Sequence, residues 1–410
     1  MRTEAKKMFD YTLKINKKAN FRFTLTRWLL LLLAAFGIFI LIYRLLNGLG
    51  ATTNLSDEWP WGFWIYMDLI LSALGACGFA VAILTHIFHV EKFKPLARRA
   101  LLMSFFCYVL VFLILFIEIG RWDNFYWFFI SRAFTSPLYE VAICISLYIL
   151  VQVFELLEVW GDRYKSWVKH IARFFLPFFV LIACIIPFGQ EAAYGALYLA
   201  MPTKLNVIWY SQFLPWACLI TSFSGGLCFV AAEYYAINRH YKKASDDSMI
   251  KSLLRVAGVF LVIYVVLKLI DLSVRGAWGE VFSGSASGNM FLLQLVLGFI
   301  VPAVLIFSSK IKKPRYQIIA AVCGILGVLI HRFNFVFVGM AKYTDVSYFP
   351  KWTEIWMVIG LTSLVVLIYL FAIENLPVSR GKNDKKADIV SRPPAGTIRI
   401  SKNEQNSVSE

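Results

Sequence analysis

Long apolar runs alternate with short polar gaps along almost the whole chain, and the gaps are of two kinds. The runs lie at about 26–47, 61–89, 100–120, 135–158, 171–198, 207–236, 254–275, 289–309, 316–338 and 353–375. Each holds roughly the 20 apolar residues that a helix needs to cross a bilayer. They are too long, and too weakly alternating, for membrane strands. The pattern predicts an all-α polytopic membrane protein of about ten transmembrane helices.

Every second gap is basic. The first is the arm before residue 26, with Arg2, Lys6, Lys7, Lys14, Lys17, Lys18 and Arg22. The others hold Lys92, Lys94, Arg98 and Arg99; Arg163, Lys165, Lys169 and Arg173; Arg239, Lys242, Lys243, Lys251 and Arg255; Lys310, Lys312, Lys313 and Arg315. No Lys or Arg occurs between Arg44 and Lys92. Basic loops stay in the cytoplasm, so both termini are expected there, in a bacterial inner membrane. The opposite gaps carry Trp59, Trp61, Trp64, Trp122, Tyr126, Trp127, Trp209, Trp278, Tyr348, Trp352 and Trp356, consistent in part with an interfacial aromatic belt. The predicted organisation is a basic cytoplasmic arm over 1–25, a membrane domain over 26–378 and a polar, disordered cytoplasmic tail over 379–410.

Composition changes the picture only by exclusion. Charged residues make up 16% of the chain, against about 25% in soluble domains. The net charge of +16 does not indicate nucleic acid, because no basic domain remains once the spans are removed. The 7 cysteines all lie within apolar runs and form no C-x-x-C pair, which gives no metal or disulfide framework.

Ionisable side chains inside a membrane are costly and are by default functional. Asp68 lies seven residues past Trp61, about 10 Å below the aromatic-side interface at 1.5 Å per residue. Glu140 is expected at a similar depth, with Glu118, Arg121, Gln190 and Glu191 in the same outer layer. The second half adds Lys268, Asp271, Arg275, Gln294, His331, Arg332, Asn334 and Glu354 as a polar network. On the basic side, Glu155, Glu158, His86, His89, Glu233 and Glu374 read as interfacial, reaching headgroups and water. Glu155 and Glu158 share a helix face with a spacing of three, though Glu155 stands about 22 Å along the helix from Glu140. A b-type haem needs two axial ligands at one depth on facing helices. The histidines, His86, His89, His170, His240 and His331, offer no such pair, and no haem or metal is expected.

Several of these segments, taken together, resemble a known family. They are Trp59-Pro60-Trp61-Gly62 with Asp68; Glu118-x-Gly120-Arg121 with Asn124; Leu138-Tyr139-Glu140 with Cys144; and Arg332-x-Asn334 followed by Tyr348-x-Pro350-x-Trp352-x-Glu354. Their order and spacing resemble the NrfD/polysulfide-reductase membrane subunits, in the HybB-like branch, over about residues 40–375. The resemblance departs at Gln190-Glu191, where that branch has His then Gln, and at Asp271 and Gln294, where it has Glu. It implies two four-helix bundles, spans 2–5 (about 60–200) and 6–9 (about 207–338), flanked by spans 1 and 10. It also implies a haem-free subunit, not catalytic alone, that exchanges electrons between a periplasmic iron–sulfur (ferredoxin-like) subunit, with its catalytic redox subunit, and menaquinone or ubiquinone.

The resulting expectation places quinone near the outer interface of the first bundle. Trp61, Trp64 and Tyr194 would pack the ring, while Asp68, Glu140, Gln190 and Arg121 would bind it. Asp68, Glu118, Glu140 and Glu191 would move protons, with translocation across the membrane as an extension. The alternatives are a secondary transporter, for which Pro187 and Gly189, Gly225 and Gly226, and Pro302 would supply helix breaks, and an inert anchor for an enzyme complex.

Overall fold

In the computed structural model, residues 11–16, 19–131, 133, 135–161, 166–201, 203–341 and 347–375 are described; the expected tail lies outside them. Among these residues, ten helices are long and apolar enough to cross a membrane: Leu25–Asn47, Phe63–Ile87, Glu91–Glu118, Pro137–Leu157, Ile182–Leu199, Leu214–His240, Asp247–Val274, Ala286–Phe307, Pro314–Ala341 and Trp352–Asn375. They are numbered here as spans 1–10. A helix satisfies its backbone internally, which is what hydrocarbon demands of any crossing segment. Part of the basic arm forms an antiparallel hairpin, Tyr11–Asn16 with Ala19–Phe23, ahead of span 1.

The boundaries differ most from expectation where apolar content and helix part company. Spans 3 and 7 begin nine and seven residues early, because their first turns are helical but charged. Span 6 begins at Leu214 rather than 207. The intervening segment is apolar but not helical, and Leu205, Ile208 and Trp209 plug into the core as a loop. Local polar groups set several ends. Thr24 accepts from the Arg27 N–H at the start of span 1, and Asp246 caps span 7 through the Met249 N–H at 3.0 Å.

Spans 2–5 contact one another in a ring, as do spans 6–9. The rings meet where span 6 packs on spans 2 and 5 and span 9 packs on span 2. Spans 1 and 10 pair along the outside, next to spans 2 and 3. Their closest approach is Gly37 to Gly360, where a Cβ on Gly37 would stand 2.5 Å from the Gly360 Cα. Gly360→Leu is expected to cost about 1–3 kcal/mol through overpacking, read as a lower melting temperature in detergent. Gly50→Leu, with nothing within 4 Å of its Cβ, is the control, and equal melting of the two would remove this contact from the fold's stability.

On the basic side, one buried ion pair joins the two bundles and another joins spans 1 and 10, and tyrosine hydroxyls link the two sets. Arg99 of span 3 bonds Glu233 of span 6 at 2.7 Å, and Tyr369 of span 10 donates to the same carboxylate at 2.6 Å. Arg27 of span 1 bonds Glu374 of span 10 at 2.6 Å, joined by Tyr241 at 2.8 Å. Glu233 and Glu374 thus depart from the interfacial role expected of them. A cation on a neighbouring helix, invisible to a reading of each span alone, holds each one inside.

Candidate functional site

Span 5 presents Gln190, Tyr194 and Tyr198 at a spacing of four, on one face, and all three are buried. Span 2 presents Asp68 and Ser72 with the same spacing, both buried. Glu118 closes the group from the end of span 3, within electrostatic reach of Asp68, Tyr198 and Glu354. Asp68 in turn lies within reach of Tyr194.

Hydrogen-bonding capacity in this group is left open. Asp68 Oδ1, both carboxylate oxygens of Glu118, Gln190 Oε1 and the Tyr198 hydroxyl are buried with no partner among the described residues. Gln190 reaches only the Tyr194 hydroxyl, donating from Nε2 at 3.4 Å. A buried polar atom without a partner costs about 1–3 kcal/mol, so such a concentration is a site built for a guest or for water. Aromatic edges wall it. Trp61 meets Tyr198 edge-on at 5.1 Å between centroids, and Tyr198 meets Phe335 at 4.8 Å.

Glu191, beside Gln190 but turned toward the second bundle, is fully committed. It accepts from Ser72 at 2.7 Å, from Ser222 at 2.5 Å and from Arg332 at 3.3 Å, with both ion-pair partners fully buried. Arg332 also donates to the Cys218 carbonyl at 3.0 Å and to Ser222 at 2.7 Å, and it touches His331 Nδ1 at 2.8 Å. This pair ties span 5 to spans 6 and 9 across the junction between the rings.

The rest of the second-half network is also paired, apart from Asn334 Oδ1, which is buried with no partner among the described residues. Asp271 takes Arg275 at 2.6 Å, Lys268 at 3.0 Å and the Ser211 hydroxyl. Lys268 and Arg275 extend to the carbonyls of Ile208, Val207 and Tyr210, so this cluster clamps the loop before span 6. Asn334 donates to Gln294 at 2.7 Å, and Gln294 donates to Tyr264 at 2.8 Å. Each of these two begins a π-helical stretch, Asn334–Val338 and Gln294–Ile300. Asn334 also bonds the Met290 carbonyl at 3.0 Å. Glu354 accepts from the Asn54 and Lys351 N–H groups at 3.0 Å and from Tyr348 at 2.5 Å, fastening the loop before span 2 to the start of span 10. Burial, followed by the bond to Glu354, pushes the Tyr348 hydroxyl well up, so it remains the donor in that bond.

Three expected site residues stand elsewhere. Glu140 is exposed in the first turn of its helix, which begins at Pro137. Its Oε1 faces Gly189, next to Gln190 but on the outer side of span 5. Arg121 is 77% exposed and paired with Asp123 at 3.6 Å. Trp64, one helical turn before Asp68, is buried and engaged elsewhere: it donates to the Glu354 carbonyl at 3.3 Å and belongs to an apolar cluster with Ile40, Leu110 and Met357 of spans 1, 3 and 10. Sequence reasoning missed Ser72, Ser222 and Tyr198. The four-residue spacings from Asp68 to Ser72, and from Gln190 through Tyr194 to Tyr198, were the available signal.

Residues 50–343 match the family described as Polysulphide reductase, NrfD. The chain belongs to the NrfD family. It is 29% identical over 348 residues to the probable Ni/Fe-hydrogenase 2 b-type cytochrome subunit of Escherichia coli, covering 83% of this chain and 88% of that one. It is 24% identical to the menaquinone reductase integral membrane subunit of Nitratidesulfovibrio vulgaris, covering 82% and 87%. It is 21% identical to a selenate reductase subunit of Mesobacillus selenatarsenatis, covering 84% and 92%. All three are similar over more than four fifths of both chains, so the likeness goes beyond any single motif.

Proposed function

We propose that this NrfD-family chain is the quinone-reactive membrane subunit of a respiratory oxidoreductase complex of hydrogenase or reductase type. The observation that carries this reading is the group of open hydrogen-bonding atoms on Asp68, Glu118, Gln190 and Tyr198, set in the aromatic-side half of the first bundle. The names of its relatives, a hydrogenase subunit and a menaquinone reductase subunit, support it.

The open atoms suit a quinone head group, which offers two carbonyl acceptors in one oxidation state and two hydroxyl donors in the other. Such a ring supplies a carrier for two electrons and two protons. Asp68, Glu118 and Tyr198 hold the hydrogen-bonding protons next to the ring oxygens. Gln190 Oε1 accepts from a hydroxyl, and Trp61, Tyr198 and Phe335 exclude water from the ring faces. Glu140, exposed against Gly189, stands at the lateral edge between spans 4 and 5, where a lipid-soluble ring enters. Glu191 is a positioning residue. Its ion pair with Arg332 fixes the orientation of span 5 and hence of Gln190 and Tyr194.

The described residues hold no group of three or more His, Cys, Asp or Glu side chains suited to a metal. His331, whose Nδ1 is engaged by Arg332, lies on the aromatic-side half of span 9, whereas His86 and His89 lie at the basic end of span 2. This reading assigns the electron carrier to a partner, an iron–sulfur subunit docked on the aromatic face with its catalytic subunit, in keeping with relatives named as subunits of hydrogenase and reductase complexes. The positive-inside rule makes that face periplasmic and places the termini in the cytoplasm. The transporter alternative finds less support, because Pro187, Gly189, Gly225 and Gly226 all lie within unbroken helices, and only Pro302, just after the π-helical stretch of span 8, marks an irregularity among the residues proposed as breaks.

Purification from native membranes in mild detergent tests the reading. Quinone is expected in the solvent extract, together with a co-purifying redox subunit. Isolation of the chain with neither, from membranes rich in quinone, would overturn it.

A further inference from the structure

The basic face carries a cluster that none of the above uses. Lys251 and Arg255 lie four residues apart near the start of span 7, where like charges repel and the helix dipole is itself positive. Lys92, in the first turn of span 3, donates to Ser252 at 2.7 Å and to Ser248 at 3.2 Å, which brings a third cation to the same helix end. Lys312, from the turn between spans 8 and 9, lies with Lys92 and Arg255 in electrostatic range of Lys251. The carboxylates at the same helix ends, Asp246, Asp247 and Glu91, offset only part of this charge. Lys251, Arg255 and Lys312 make no ion pair among the described residues, Glu91 pairs with Lys94, Asp246 caps Met249 and Asp247 takes the Tyr235 hydroxyl.

The same helix face continues as an apolar strip. Val259, Val262, Val266 and Ile270 follow Arg255 at helical spacing and are all exposed, beside Val304 and Phe307 of span 8. Cations at the membrane surface above a continuous exposed apolar face match a molecule with an anionic head and acyl chains, and they do not match a free anion.

We propose that this face binds an anionic phospholipid, its phosphate held by Lys92, Lys251, Arg255 and Lys312 and its chains laid along span 7. Such a lipid would shield the junction of spans 7, 8 and 9 and neutralise their basic ends. The proposal is independent of the quinone reading.

The test is binding of phosphatidylglycerol to the purified full-length chain, with any co-purifying subunits, in detergent. Phosphatidylcholine and inorganic phosphate serve as comparison ligands. Phosphatidylglycerol is expected to bind, and the Lys251→Gln/Arg255→Gln pair to weaken it by roughly 30-fold, about fivefold per charge removed. Arg121→Gln removes a charge from the opposite, aromatic face, about a membrane thickness away, and should leave binding within about twofold, because surface-charge effects fade within a Debye length. The single Lys312→Gln, on an exposed turn, decides the matter if the pair fails to fold, and it should weaken binding about fivefold. Equal binding of phosphatidylcholine, displacement by inorganic phosphate at matched concentration, or wild-type affinity in the Lys251/Arg255 or Lys312 variants would each overturn the proposal.

Discussion

Asp68→Asn is expected to leave the chain assembled and to lower quinone-linked turnover by about 100- to 10,000-fold, the range for loss of a positioned proton-transfer group. The substitution is nearly isosteric. Asp68 is 1% exposed and forms no ion pair, and its Oδ1 has no partner among the described residues, so no structural bond is lost with the carboxyl. What disappears is the capacity to exchange a proton at that atom. Glu118→Gln, with both oxygens equally open, should reduce turnover in the same way. The measurement is electron transfer between the natural donor or acceptor and an added quinone analogue, normalised to the amount of assembled subunit in the membrane. Turnover of the Asp68 variant within about twofold of wild type, far below the expected range for such a group, would remove this carboxyl from the mechanism. The open polar group would then have to be hydrated structure.

Arg332→Ala should instead act on stability. The guanidinium and the Glu191 carboxylate are both fully buried, and removing one partner of such a pair costs about 3–5 kcal/mol because the remaining charge is stranded. Ser222 and the Cys218 carbonyl lose a donor in the same step. For a protein of marginal stability this amounts to much of the folding free energy. A steep fall is expected in the amount of chain retained in the membrane and in its melting temperature in detergent. Glu191→Gln keeps acceptors for Ser72 and Ser222 and should be milder. Combining it with Arg332→Gln should recover part of the loss, since replacing both charges avoids the stranded one. If Arg332→Ala melts with the wild type, the pair does not join the two rings energetically.

The two predictions separate residues that are indistinguishable in the sequence. Asp68 and Glu191 are each one carboxylate in a long apolar run, and the cost of charge in hydrocarbon marks both equally as functional candidates. The structure divides them. Arg332, 141 positions away in the chain, faces Glu191, and no cation faces Asp68 among the described residues. Likewise Glu354 and Asn334 carry the resemblance in sequence, yet in the fold they fasten a loop and a π-helical turn. Counting apolar residues does not reveal that Glu140 is exposed in a first turn, because it does not locate the first hydrogen-bonded turn. A shift of a few positions moves a side chain from the membrane core to its surface.

The sequence by itself determined the spans, their alternating basic and aromatic ends and the identities of the intramembrane polar residues. These follow from local rules: about 20 apolar residues cross the bilayer, and Lys and Arg stay on one side. Only the tertiary structure decided which polar residues are paired and which are left open. That depends on which helix faces meet across the two rings, and no periodicity within a single helix records the rotation or depth of its neighbour.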